Sequence, residues 1–150
     1  LVRKIMKEYP EVIEEKVGDK TFIEAVLEPH RCYYTAIKDL FNKEIITGLA
    51  HITGRGICEN LNRILPSNLN ADIDASKYQI LDIFKLIKKV GNIDEKEMLR
   101  TFNLGVGLTV VCKAEAAEEV INHVKKSNIN AYEIGTIVKG EKQVNVRRKF

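Results

Sequence analysis

The chain has 150 residues, enough for one ordinary domain that buries about 68–70% of the surface of its unfolded form, so it needs neither a disulfide nor a metal to hold a core. Lys and Arg total 24 against 21 Asp and Glu and are spread along the chain, which gives no concentrated basic face for nucleic acid. No apolar run approaches the roughly 20 residues of a membrane helix, and no signal-peptide pattern opens the chain.

The first residue is Leu1, and Leu1, Val2, Ile5, Met6 and Tyr9 already fall at helical spacing. The expectation is a chain that begins inside an amphipathic helix, as a piece of a longer protein. Pro10 is expected to end or kink that helix, because it lacks an amide proton and its ring clashes with the preceding turn. Gly18-Asp19-Lys20 reads as a turn, followed by a short helix over 21–28 with Thr21 as N-cap, stopped before Pro29. A third helix is expected to bury Tyr33, Tyr34, Ile37, Leu40 and Phe41, with Lys38 and Asp39 outward.

The β-branched segment 45–53 predicts a strand that feeds the turn Gly54-Arg55-Gly56, and 59–65 predicts a short helix closed by Pro66. Residues 71–74 read as a further strand. The spacing of Ile80, Ile83, Phe84, Ile87 and Val90 predicts a helix over 78–90 with Gly91 in the C′ position. Asp94 and Glu97 form a capping arrangement for a brief helix ending near Thr101. The apolar run 105–113 predicts a buried strand, 114–126 a helix with Val120, Ile121 and Val124 inward, and 131–138 with 143–146 a hairpin around Gly140-Glu141. Together these elements predict an α/β sandwich of the α+β type, a mixed sheet flanked by helices, over residues 1–146, with a basic tail at 147–150.

Chemistry is sparse in these residues. Cys32, Cys58 and Cys112 are odd in number and far apart, as reduced thiols of a cytoplasmic protein are, and read as buried or semi-buried fillers. Structural zinc wants two close ligand pairs, and only His30 and Cys32 are near each other, so no metal site is expected. The turn Gly54-Arg55-Gly56 is the best local candidate. Glycines let the backbone approach a ligand, and the amides of the following helix favour an anion such as phosphate, although a tight connection without ligand has the same pattern. His51, three residues earlier, is a weak candidate proton carrier, its alternative being a hydrogen-bonded structural histidine. Glu59, Asn60 and Arg63 either orient a polar ligand or cap and pair locally. Asn103 with Gly105 and Gly107 marks either a close approach of backbone to ligand or room for a packed side chain.

The strings LVRKI at 1–5, LEPHRCYY at 27–34, GLAHITGRGICENLNRILP at 48–66, GNIDEKEMLRTFNLGVGL at 91–108 and YEIGTIVKG at 132–140 stand in an order that resembles the aminoimidazole ribonucleotide synthetase family, C-terminal domain. Two positions depart from that family. Arg55 replaces the usual middle glycine of the loop, and His30 stands where Thr is usual after the proline. The resemblance implies a two-domain homodimeric ligase of purine biosynthesis that uses ATP and magnesium to close the ring of formylglycinamidine ribonucleotide. Most ATP and magnesium contacts are then expected on the N-terminal domain, and Gly54, Arg55, Gly56, Glu59 and Asn60 on the substrate or its phosphate. The rival readings are another ATP-using enzyme of the same superfamily and a non-catalytic phosphate-binding or dimerisation module.

Overall fold

The computed structural model describes residues 1–147. Its helices and strands alternate irregularly, an α+β arrangement in which the described residues form a mixed three-stranded sheet and two separate antiparallel pairs. Helix α1 (Val2–Glu8) buries Ile5 and is followed by a 3₁₀ turn at Pro10–Glu14, where proline at the first position has no amide to leave unpaired. Strands β1 (Lys16–Val17) and β2 (Lys20–Thr21) flank the expected turn as a two-residue ladder. Thr21 caps α2 (Phe22–Val26) in a reciprocal box. Its hydroxyl accepts from the Glu24 amide at 3.4 Å, while the Glu24 carboxylate accepts from the Thr21 amide at 2.7 Å and is held below the usual carboxylate range by that bond.

The third helix departs from expectation. Only Tyr34–Ile37 is α-helical (α3), and residues 38–43 tighten into a 3₁₀ helix. The change of pitch rotates the apolar positions, so Ile37 and Leu40 are buried while Tyr34 and Phe41 are 62% and 42% exposed, their rings 6.5 Å apart. Ile37 and Leu40 lie outside the main core cluster, as do Val120 and Val124 of α7 (Ala117–Lys125), the helix that α3 meets, and Lys43 pairs with Glu119 between the 3₁₀ helix and α7.

Strand β3 (Ile46–His51) pairs antiparallel with β5 (Leu108–Cys112), His51 opposite Leu108. The expected strand at 105–113 thus begins only at Leu108, and it is half-buried apart from Thr109, because it lies in a two-stranded ribbon. Helix α4 (Gly56–Ile64) follows β3 and starts three residues before the predicted helix. Helix α5 (Asp82–Val90) starts four residues late: Tyr78 is extended (φ −129°, ψ 155°), and Tyr78 and Ile80 reach the core two positions apart, as extended chain allows. Gly91 does not use a left-handed conformation; Asn92 takes it instead, with φ +45°, and Gly91 leaves room for Ile5 and Ile93. Asp94 caps α6 (Glu95–Thr101) through the Glu97 amide, as its spacing predicts.

The predicted hairpin is corrected by the sheet order. Strands β6 (Gly135–Lys139) and β7 (Val144–Arg147) do not pair with each other, because β4 (Leu69–Asp74) lies between them, antiparallel to β6 and parallel to β7. Asn70 explains the connection: its side-chain oxygen accepts from the amides of Glu141 and Gln143, both at 2.8 Å, which draws residues 140–143 over the start of β4. Arg147, placed in the basic tail by its sequence, closes β7, and residues 148–150 of that tail lie outside the described residues. The core cluster gathers Phe22, Ile52, Ile57, Leu61, Ile73, Ile87, Met98 and Leu104 between β4 and the helices.

Candidate functional site

Strand β3 delivers the backbone into the glycine turn under tight control. Ile52 is fully buried, and its amide donates to the Gly107 carbonyl at 2.9 Å. The chain then enters the left-handed region twice, at Arg55 (φ +75°) and Gly56 (φ +62°). The position that is usually glycine keeps its positive φ here, and Arg55 bears a cost of about 1–2 kcal/mol for it. Gly56 is buried, and a Cβ there would overlap the Leu99 carbonyl and stand 2.9 Å from the Phe102 carbonyl oxygen, so the end of α6 closes on this residue. Gly54 has open space in the same direction.

The polar side chains around the turn have partners within it. The Asn60 amide is buried and donates to the carbonyls of Gly54 at 3.0 Å and Gly56 at 2.7 Å, which fixes the turn against the first two windings of α4. The Arg55 guanidinium donates to the Glu59 carboxylate at 3.1 Å, an exposed pair one helical turn apart. No side chain caps α4, so its first-turn amides keep their positive end toward the turn. Beside them an open cavity of about 590 Å³ is lined by Arg55, Cys58, Glu59, Arg63, Lys142 and Asn145, three cations and one carboxylate. Burial pushes the Cys58 thiol up, which keeps it protonated and unsuited as a nucleophile. Cys112 is raised by burial too, whereas Cys32 is exposed and not the filler that the sequence suggested.

A second cluster assembles from three distant segments. His30, in the stretch between α2 and α3, and His51, at the end of β3, place their Nε2 atoms 2.6 Å apart, so one ring donates to the other. Tyr33 stands edge-on to both, with ring centroids 5.9 Å from His30 and 6.4 Å from His51. Its hydroxyl occupies the place where a side chain on Gly107 would begin, so that glycine makes room for a packed ring. Asn103 serves its own turn, accepting from the Gly105 amide at 3.1 Å around Leu104, which is buried at φ +54°. The sequence marked His30 as a departure and as half of a near pair with Cys32, and gave Tyr33 only a core role. Their convergence with His51 crosses 21 residues and leaves no local periodicity by which to find it.

Residues 4–147 match the family model described as AIR synthase related protein, C-terminal domain. The chain is 42% identical over 96% of its length to the phosphoribosylformylglycinamidine cyclo-ligase of Pseudothermotoga lettingae, covering 43% of that protein. It is 41% identical over 91% of its length to the enzyme of the same name from Chromobacterium violaceum, covering 40% of it. With that of Acetivibrio thermocellus it shares 37% identity over 97% of the chain and 44% of the relative. The chain therefore spans less than half the length of these relatives.

Proposed function

Because the chain belongs to the family of AIR synthase related proteins, as their C-terminal domain, we propose that it is the C-terminal half of a phosphoribosylformylglycinamidine cyclo-ligase. In that reaction ATP phosphorylates the formyl oxygen of formylglycinamidine ribonucleotide. An amidine nitrogen then attacks the same carbon, the oxygen leaves as phosphate, and the nitrogen loses a proton as the imidazole ring closes. Activation turns a poor leaving group into a good one, and enclosure holds the reacting atoms together.

The observation that carries this reading is convergence. Three motif strings, LEPHRCYY, GLAHITGRG and NLGVGL, are separated in sequence, yet His30, Tyr33, His51 and Gly107 meet at one place beside the turn that opens α4. Gly54 and Arg55, with the amides of α4 that no side chain caps, offer an anion site, and Arg55 turns from Glu59 to a ribonucleotide phosphate at little cost because the exposed ion pair is weak. Gly56 and Asn60 contribute by fixing the turn, and the proton is assigned to His51. Among the described residues no three His, Cys, Asp or Glu side chains come together as a metal site. ATP and its magnesium are assigned to an N-terminal domain of the same protein, in a cytoplasmic homodimer. No described helix is long and apolar enough to cross a membrane.

The test is a chimera in which this chain replaces the matching segment of the Pseudothermotoga lettingae relative. Ring closure dependent on ATP and formylglycinamidine ribonucleotide is expected from the chimera and none from the chain alone. A folded, dimeric chimera without turnover overturns the proposal, and turnover by the chain alone overturns the assignment of ATP to another domain.

A further inference from the structure

We propose that His30 is a positioning residue for His51, and that the two imidazoles form a relay carrying a proton from a substrate held beside His51 to solvent. This rests on the cyclo-ligase reading for its substrate and on geometry for the pair itself. The ring centroids lie 4.7 Å apart while the Nε2 atoms are 2.6 Å apart, so the rings face each other nitrogen to nitrogen, with room for one proton between them. That contact fixes both tautomers. The ring that donates from Nε2 leaves its own Nδ1 bare, and the ring that accepts must carry its proton on Nδ1.

With His51 as donor, its bare Nδ1 is a base. When the attacking nitrogen gives up its proton to Nδ1, His51 releases the Nε2 proton to His30, and His30 loses its Nδ1 proton to solvent; when product leaves, water reverses the three transfers and restores the pair. Both residues are exposed, as a path to solvent requires. Tyr33 packs edge-on against both rings and limits their rotation, and β5 presents the apolar Leu108 opposite His51. Among the described residues neither imidazole takes part in an ion pair, so each ring is the other's polar partner. A threonine at position 30 would end this coupling, since it has no second nitrogen to pass the proton on.

The chain has three histidines, so nitrogen–proton correlation spectra of the imidazoles separate His30, His51 and His123. In the full 150-residue chain at mildly alkaline pH, His30 and His51 are expected each in one tautomer and opposite to one another. His30→Thr should release His51 to a tautomer mixture without altering His123, and His30→Gln, which keeps a hydrogen-bonding partner for Nε2, should restore a single tautomer. His51 signals indifferent to His30→Thr overturn the pair. In the chimera, His30→Gln holds the ring but transfers no proton, so kcat should fall about ten-fold with KM within about two-fold. An active chimera whose kcat ignores His30→Gln overturns the relay and leaves the cyclo-ligase reading standing. An inactive native chimera counts against the cyclo-ligase reading and the relay that rests on it, while the imidazole pair stands or falls on the spectra.

Discussion

The turn that opens α4 and the histidine cluster beside it are built in opposite ways. In the turn, the polar groups serve the fold: Asn60 holds two carbonyls, Arg55 holds Glu59, and Gly56 is pressed against α6. In the cluster, His30 and His51 come from separate segments and leave their rings in solvent, tied chiefly to each other. A glycine-rich motif can therefore be a frame, and the reactive atoms can stand next to it on residues that no short motif unites. This separates two kinds of damage: changes at Gly56 and Asn60, which hold the turn, should be felt in stability, and changes at Gly54, at Arg55 or in the cluster should be felt in ligand binding and chemistry.

The sharpest break of that contrast is Gly56→Val. It forces a β-branched residue to φ +62° with its Cβ against two backbone carbonyls, and a loss of about 3 kcal/mol or more is expected in denaturant unfolding. Gly56 is thus a poor probe of phosphate approach. Gly54→Ala is the clean one, because its Cβ meets open space, and stability should stay within about 0.5 kcal/mol while any loss of substrate affinity reports on the ligand. A strongly destabilised Gly54→Ala, or a Gly56→Val as stable as the native chain, would erase the distinction.

Next in size is Asn60→Ala, which strands the Gly54 and Gly56 carbonyls and should cost about 1–3 kcal/mol in thermal unfolding. If stability held and only ligand affinity fell, Asn60 would belong with the reactive groups instead of the frame. The smallest effect is expected from Arg55→Gly. Relief of the left-handed arginine, the entropy cost of glycine and the loss of an exposed ion pair nearly cancel, for a net change within about 1 kcal/mol. With stability so little disturbed, a raised KM for the ribonucleotide in the Arg55→Gly chimera reads directly as a lost phosphate contact, and an unchanged KM leaves Arg55 as a turn residue.

Features decided within a few residues were legible in the sequence. Thr21 and Asp94 cap helices where their spacing places them, and the β3 to α4 connection falls at the glycines. Features decided by distant partners were not. Tyr34 and Phe41 fit a helical stripe but are turned outward by the 3₁₀ pitch, and Tyr78 and Ile80 extend the α5 pattern although the backbone there is extended. The closing strands read as a hairpin because nothing in 131–146 announces that Asn70, some 70 residues earlier, holds their connection. For the candidate site, the glycine turn could be read from the sequence, whereas the contact of His30 with His51 could not; the signal available was His30 itself, a titratable ring where the family that the sequence resembles usually has a hydroxyl.

The placement of β4 between β6 and β7 also sets the order of events on the ribosome. Residues 69–74 emerge long before either of their ladder partners exists, since those partners are supplied by 135–147. At about 5–20 residues per second, the roughly 60 residues between β4 and β6 leave β4 with two unpaired edges for about 3–12 s, and the edge that β7 covers stays open until 144–147 follow. During that interval Ala71 and Ile73, which end buried, have no sheet to enter. The nascent chain thus carries an open strand until residues 144–147 arrive, and Asn70 has been synthesised by then to receive the loop that brings them over.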